Sequence, residues 1–193
     1  VTIGESHVAP ATTVTNIGAA LDSTLSMEQE VKAKCKAAWG NLYCLSKLKR
    51  YLSTEQLTTA VIAYVVSKLD QNNCLLFGLP TTLLNKLQRI QNAAARLICG
   101  ARKYDEASPL LFKLHWLPIL FRVEFKVLLM TYKALHGEGP SYIVDLLIPY
   151  EPIPSLRSSD QNLLVEPRVF SRYGDRAFGN CAPRLWNRLP THV

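Results

Sequence analysis

Apolar residues recur at spacings of three and four along most of the chain, and this pattern predicts a mainly α-helical protein. The first predicted helix begins near Met27, where Ser26 and Gln29 have the spacing of a capping box. This helix has one apolar face, which consists of Val31, Cys35, Ala38, Leu42 and Leu45.

Two further helices are predicted before residue 100. Ser53 and Gln56 form a second candidate capping box, which opens a helix that runs to about Leu69. After a break at Gly78-Leu79-Pro80, a third helix extends to about Cys99, with Gly100 as its C-terminal cap. The apolar face of the third helix consists of Leu83, Leu87, Ile90, Ala94 and Leu97.

The remaining chain predicts a second helical layer. Ser108-Pro109 is typical of a helix start, with a serine cap and proline in the first turn. Residues 119–136 are apolar nearly all round, which is typical of a central buried helix, and Gly137 follows as its cap. A short helix is predicted from Pro140 to about Leu147, and a final helical turn over residues 183–189.

Short alternating segments favour a small amount of β structure. Val1–Ile3 and Val14–Ile17 predict a β edge at the N-terminus, and residues 163–165 and 169–170 are further candidate strands. The expected fold class is therefore mainly α, a helical bundle with a small β edge and a second helical layer. Three regions are expected, covering residues 1–26, 27–103 and 104–193.

The positive charge of the chain lies mostly in the middle region. The net charge is +7, and residues 27–103 alone carry twelve Lys or Arg against four Asp or Glu. Such an asymmetry indicates a polyanionic partner, although a solvated helix face would also account for it. Helical geometry puts these bases on one flank of the first helix and one flank of the third, with two more after the third helix. The candidate nucleic-acid-binding residues are Lys32, Lys36, Lys47, Arg50, Lys86, Arg89, Arg96, Arg102 and Lys103.

Catalytic, metal-binding and membrane-spanning patterns are not recognised in the sequence. The adjacent acids Asp105-Glu106 favour a solvated loop, and no His–Cys spacing suits zinc. No apolar run approaches the ~20 residues of a membrane span. The odd number of widely spaced cysteines indicates buried, reduced thiols in a cytoplasmic or nuclear protein. Trp116 and Trp186 are interpreted as packing residues rather than as base-stacking platforms.

Several short motifs follow one another along the whole chain. Residues 87–96 read LQRIQNAAAR, residues 115–118 read HWLP, and residues 132–135 read YKAL. Later blocks are GDRAF at residues 174–178 and APRLWNRLP at residues 182–190. In this order they resemble the C-terminal part of the reverse transcriptases of LINE-type (non-LTR) retrotransposons.

The resemblance implies that residues 1–26 end the palm, residues 27–103 form a thumb-like bundle and residues 104–193 form a post-thumb region. The catalytic aspartates and their Mg²⁺ ions would belong to a palm domain before Val1. The chain itself is therefore expected to have no polymerase activity and no cofactor. Thumb helices of such enzymes lie along the template–primer duplex, which implies nonspecific binding to the backbone of an RNA–DNA or RNA duplex. Two alternatives remain open, a structural or protein-interaction module in a host protein and a functionless relic of a degenerate element.

Overall fold

The computed structural model describes residues 2–3, 6–7, 9, 11–150, 162–171 and 173–190. Within these residues the fold is mainly helical with short antiparallel strands at the N-terminus, which confirms the predicted fold class. The chain divides into two compact units, residues 1–72 with 79–119 and residues 73–78 with 120–193. These limits differ from the three regions drawn from the sequence, which remain a prediction.

Two hairpins precede the helices. Strands β1 (Thr2–Ile3) and β2 (Ser6–His7) pair with each other, and β3 (Thr13–Asn16) pairs with β4 (Ala19–Asp22). The two-residue turn between β3 and β4 has positive φ at both positions, as a type I′ hairpin turn requires. The predicted strand at residues 14–17 is thus found one residue earlier, and the sequence pattern missed its partner β4.

Three helical segments form the body of the first unit. They are α1 (Glu28–Leu48), the continuous segment of α2 (Thr54–Val61), a π-helical turn (Ile62–Val66) and α3 (Ser67–Asp70), and then α4 (Thr81–Cys99). A short helix, α5 (Ser108–Lys113), follows in the same unit.

The hydrogen bonds of α1 fix the directions of these helices. Near its start the Lys34 ammonium donates to the Lys68 carbonyl (3.1 Å), and near its middle the Asn41 amide donates to the Tyr64 carbonyl (2.6 Å). The segment α2–α3 is therefore antiparallel to α1. At the end of α1 the Lys49 ammonium donates to the Leu97 carbonyl near the end of α4 (2.9 Å), and Cys35 in the first half of α1 lies near Lys86 in the first half of α4, so α1 and α4 run parallel.

The apolar faces predicted for α1 and α4 are the ones that the fold buries, whereas Tyr64, an apolar residue predicted for the helix between them, is 60% exposed. Each face packs against the other helices of the unit. Cys35 on α1 and Leu97 on α4 are half-buried members of these faces. The buried core of these helices includes Val31, Ala38, Leu42, Leu45, Leu57, Val61, Val65, Leu69, Leu83, Leu87, Ile90 and Ala94.

The start of α1 is capped differently from the prediction. Ser26 and Gln29 do not form a capping box, because Met27 occupies the cap position with φ of 59° and makes no side-chain cap bond. The Asp22 carboxylate, at the end of β4, instead accepts the backbone N–H groups of Ser26 (2.8 Å) and Met27 (2.9 Å). These hydrogen bonds, with the Ser26 backbone bond largest, lower the pKa of Asp22 to about 2.

Other helix ends follow the sequence more closely. The capping box of Ser53 and Gln56 is formed at α2, and Gly100 ends α4 with φ of 68°. Gly137 (φ 72°) ends α6 (Ile119–Leu135), as predicted. Ser108 is not a cap, since α5 begins at that residue and Ala107 is its N-cap.

The second unit has its own core. Its elements include α6, α7 (Ser141–Val144) and α8 (Phe178–Trp186), so the predicted helix from Pro140 is shorter than expected and the final one longer. The candidate strands are reduced to a single bridge between Pro149 and Leu164, and residues 169–170 are not a strand. The core contains Val127, Ala134, Leu147, Leu164, Cys181, Ala182 and Leu185.

The prediction that α6 is buried on all sides is wrong. Its buried side chains lie on one face, which consists of Ile119, Val123, Val127, Thr131 and Ala134. Phe121 and Phe125, on the opposite face, are 53% and 54% exposed. Helix α6 is therefore amphipathic in its packing although not in its composition.

Candidate nucleic-acid interface

The bases predicted on α1 all lie at the surface. Lys32, Lys36 and Lys47 are exposed on the helix, and Arg50 is exposed in the 3₁₀ turn (Lys49–Tyr51) that continues it. Lys34 lies between the first two in sequence but is buried against α3, where it pairs with Glu30. Lys34 therefore has a structural role, although Lys32 and Lys36, two residues away on either side, are surface lysines.

The bases predicted on α4 have two different roles. Lys86 and Arg89 are exposed. Arg96 is half-buried, and its Nε donates to the Asp105 carbonyl at 2.9 Å, so this guanidinium helps to close the loop after α4. The Asp105 carboxylate accepts the backbone N–H of Arg102 (2.6 Å) in the same loop. The exposed bases that remain on this side are Lys86, Arg89, Arg102 and Lys103.

The basic flank of α1 lies on the side of the helix that faces α4. Lys34 and Asn41 of α1 point to α2–α3, whereas Cys35 and Lys49 point to α4. On a helix of 3.6 residues per turn, the basic flank lies next to the α4-facing positions around the helix axis. It lies on the opposite side of the axis from the positions that face α2–α3. The exposed lysines of α1 therefore border the seam between α1 and α4.

The basic flank of α4 borders the same seam. Burial raises the pKa of the Cys35 thiol of α1, and the charge of the nearby Lys86 partly opposes that rise. Gln88 and Gln91, on the other side of α4, bind the backbone of residues 117–119. Arg89 lies about 60° around the axis from Lys86, away from those glutamines. Exposed bases from two helices are thus brought to the two edges of one seam.

Aromatic side chains accompany the bases at the end of the seam. The Lys47 ammonium lies 5.2 Å from the centre of the Tyr43 ring, and the Arg50 guanidinium lies 4.7 Å from that of Tyr51. An open concavity of about 680 Å³ is lined by Ser46, Lys47, Lys49 and Arg50. Lys49 and these tyrosines were not predicted from the sequence as site residues, although the spacing of each tyrosine from a predicted cation, four residues for Tyr43 and one for Tyr51, was a signal for the two rings.

The glutamines of the LQRIQNAAAR motif hold the chain together. The Gln91 side chain is fully buried and donates to the Leu117 carbonyl (2.8 Å), and the Gln88 carbonyl oxygen accepts the Ile119 N–H (2.8 Å). Gln88 also donates to Gln91 and to Asn92. The two glutamines of this motif therefore fix the end of HWLP and the first residue of α6, and the apolar residues of the motif contribute to the core.

Trp116, Trp186 and four of the five cysteines are buried or half-buried. Trp116 is buried and Trp186 is half-buried with its indole N–H on the Asn162 carbonyl (3.0 Å), which supports packing for both. The five cysteines are free thiols, and burial raises the pKa of Cys181 to about 11. The expectation that the thiols are buried holds for Cys181, is met only in part by the half-buried Cys35, Cys74 and Cys99, and is wrong for the exposed Cys44.

The described residues show no arrangement typical of a metal site or a membrane-spanning helix. No group of three His, Cys, Asp or Glu side chains among them has the arrangement of a metal site. Among the same residues, no helix has the length and apolar character needed to cross a membrane. Asp105, the first of the two adjacent acids, is exposed and occupied with loop backbone.

Comparison of the chain with models of protein families, with curated proteins and with solved structures finds no match.

Proposed function

We propose that the chain binds the sugar–phosphate backbone of nucleic acid, without reading its sequence, along the seam between α1 and α4. The preferred ligand is an RNA–DNA or RNA duplex, and the chain acts as the thumb and post-thumb part of a LINE-type retrotransposon polymerase. The observation that carries this proposal is the convergence of exposed bases from two parallel helices on the edges of one seam.

The charges around the seam favour a polyanion. Helix α4 contains no Asp or Glu, and α1 has its acids only in the first turn. Exposed lysine and arginine side chains contact phosphates without regard to base identity, and each contact releases counterions. A solvated face would not require bases on two neighbouring helices to line the same seam.

The same proposal assigns the chemistry to another part of the parent polymerase. The Mg²⁺ ions and catalytic aspartates belong to an upstream palm, and this chain neither polymerises nor holds a cofactor. The palm is a partner, and the exposed aromatic side chains of α6 offer it an apolar surface. The cellular location that this role implies is cytoplasmic or nuclear.

A salt titration of duplex binding tests the proposal. Fluorescence anisotropy measures the affinity of the chain for a labelled RNA–DNA duplex across a range of salt concentrations. Seven or eight exposed bases near the seam set an upper slope of about −6 to −7 on the log–log plot, and partial engagement predicts about −3 to −5.

Matched variants locate the binding surface. The triple variant Lys36→Ala, Lys86→Ala, Arg89→Ala should lower the steepness of the slope by about two to three units. The control removes the same charge from exposed lysines elsewhere, by Lys68→Ala, Lys113→Ala and Lys133→Ala. Equal slopes for the two variants would show that the seam is only a solvated basic surface.

A further inference from the structure

A stripe in which two aromatic residues lie between two pairs of basic residues runs along α1 and into the 3₁₀ turn that follows it. Two aromatic members, Trp39 and Tyr43, are 45% and 65% exposed, although rings of this size are usually mostly covered. The spacing of three and four residues keeps the whole stripe within about 80° around the helix axis. In chain order its members are Lys32, Lys36, Trp39, Tyr43 and Lys47 on α1 and Arg50 in the 3₁₀ turn.

The stripe has the sign of charge and the ring surfaces that an unpaired nucleic-acid strand requires. No Asp or Glu occurs between Val31 and Arg50, so the four bases are not offset by acids along this stretch of the helix. Nucleobases of any sequence stack on exposed aromatic rings, while lysine and arginine side chains neutralise the phosphates of the same strand.

A duplex would not stack on the two aromatic rings. Its bases are paired and stacked inside the helix, and phosphate contacts need only the cations. Trp39 and Tyr43 lie one helical turn apart, ~6 Å along the axis, against a rise of about 3.4 Å for each nucleotide of a stacked strand. The distance between the rings thus exceeds the rise of one stacked nucleotide. An unpaired strand that extends along α1 can lengthen to match it, so that one nucleobase stacks on each ring.

We infer that the α1 stripe binds a single-stranded segment of nucleic acid. Its nucleobases stack on Trp39 and Tyr43, and its phosphates contact the four flanking Lys and Arg side chains. This inference rests on the proposed function, since the stripe forms one edge of the α1–α4 seam, and it adds that an unpaired strand is held there. Lys47 already lies over one face of the Tyr43 ring, so the incoming base takes the other face.

The test uses the whole chain with a labelled oligothymidylate of about 12 nucleotides, longer than the ~8 stacked nucleotides that span ~27 Å of stripe. The variant Trp39→Ala, Tyr43→Ala should weaken this binding by at least about 25-fold, the lower limit for the loss of two stacked nucleobases. Its affinity for a duplex of the same length should be unchanged. The control Tyr64→Ala, Phe112→Ala removes two exposed rings from other surfaces of the first unit and should bind like the unaltered chain.

A second measurement reports on stacking directly. Binding of oligothymidylate should quench the fluorescence of Trp39, and the variant Trp39→Phe, Tyr43→Phe should lose this quenching while keeping most of the affinity. Circular dichroism of each variant verifies that the helices are retained.

The outcomes separate this inference from the proposed function. If the aromatic variant binds oligothymidylate like the control, or loses duplex affinity equally, the stacking inference is overturned while duplex binding stands. If the Lys36, Lys86 and Arg89 variant also binds both ligands normally, the proposed function fails as well. Equally tight binding of polyglutamate, unaffected by loss of the rings, would assign the stripe to an acidic protein partner and overturn the inference.

Discussion

Breaking the buried ion pair of Glu30 and Lys34 should cost the first unit a large part of its stability. The Lys34 ammonium lies 3.3 Å from the Glu30 carboxylate, and each side chain is only 6% exposed. Lys34 also donates to the carbonyls of Lys68 (3.1 Å) and Gln71, at the end of α3. The pair thus connects α1 to the end of α3.

Glu30 adds a third connection. Its second carboxylate oxygen accepts the Ala20 N–H of β4 at 2.8 Å, so the two side chains join a strand and two helices. Burial lowers the pKa of Lys34, and the nearby Glu30 charge opposes that effect. Removing one partner would leave the other charge buried without compensation.

The magnitudes follow from what each substitution leaves behind. Lys34→Met leaves the Glu30 carboxylate buried without a counter-charge and removes the ammonium donor from two carbonyls, and should lower the free energy of unfolding by about 4 kcal/mol. Glu30→Gln keeps an oxygen for the Ala20 N–H and should cost about 2 kcal/mol. Because the amide needs no counter-charge, the double variant should cost about 4 kcal/mol, which gives a coupling energy of about 2 kcal/mol.

Urea denaturation of the four proteins, followed by far-UV circular dichroism, measures these differences at constant pH. Lys36→Met is the matched control, because this lysine is exposed on the same helix and should change stability by no more than about 0.5 kcal/mol. If Lys34→Met resembles the control, or if the two costs add within about 0.5 kcal/mol, the buried pair does not hold the unit together.

Three further predictions concern single positions. The stabilisation from Asp22, whose folded pKa is about 2 against an ordinary 3.8, is complete above pH 4 and lost as the pH falls towards 2; thermal melts of Asp22→Asn should lack this part of the acid sensitivity. Val127→Ala should lower the free energy of unfolding by about 2 kcal/mol but Phe125→Ala by under about 0.5 kcal/mol, and urea midpoints in the reverse order would contradict the observed facing of α6. Gln91→Met should cost about 1–3 kcal/mol by leaving the Leu117 carbonyl without its donor, and an unchanged midpoint would show that water replaces the amide.

The elements that the sequence predicts best are those whose causes lie within a few residues. The capping box at Ser53 and the left-handed glycine at position 100 depend on local backbone geometry, and both are found as predicted. The cap of α1 depends on Asp22, which lies in the preceding hairpin, and here the local signal of Ser26 and Gln29 was misleading.

The candidate site was predicted only in part for the same reason. The sequence alone determined which side chains are cationic and which helical flank each occupies, because helical periodicity is a local property. That Arg96 closes a loop while Lys86 stays exposed depends on where the Asp105 carbonyl lies, and this is set by the fold of the loop.

Helix α6 marks the limit of inference from composition. Its sequence determined that it is helical and apolar, but an apolar residue states only a preference for burial. Which face is covered was decided by where the rest of the core lies, and so Val127 is buried while Phe125 is not. Likewise, only tertiary packing makes α1 and α4 parallel neighbours, because contacts between residues far apart in sequence, such as Lys49 with Leu97, determine which flanks share a surface.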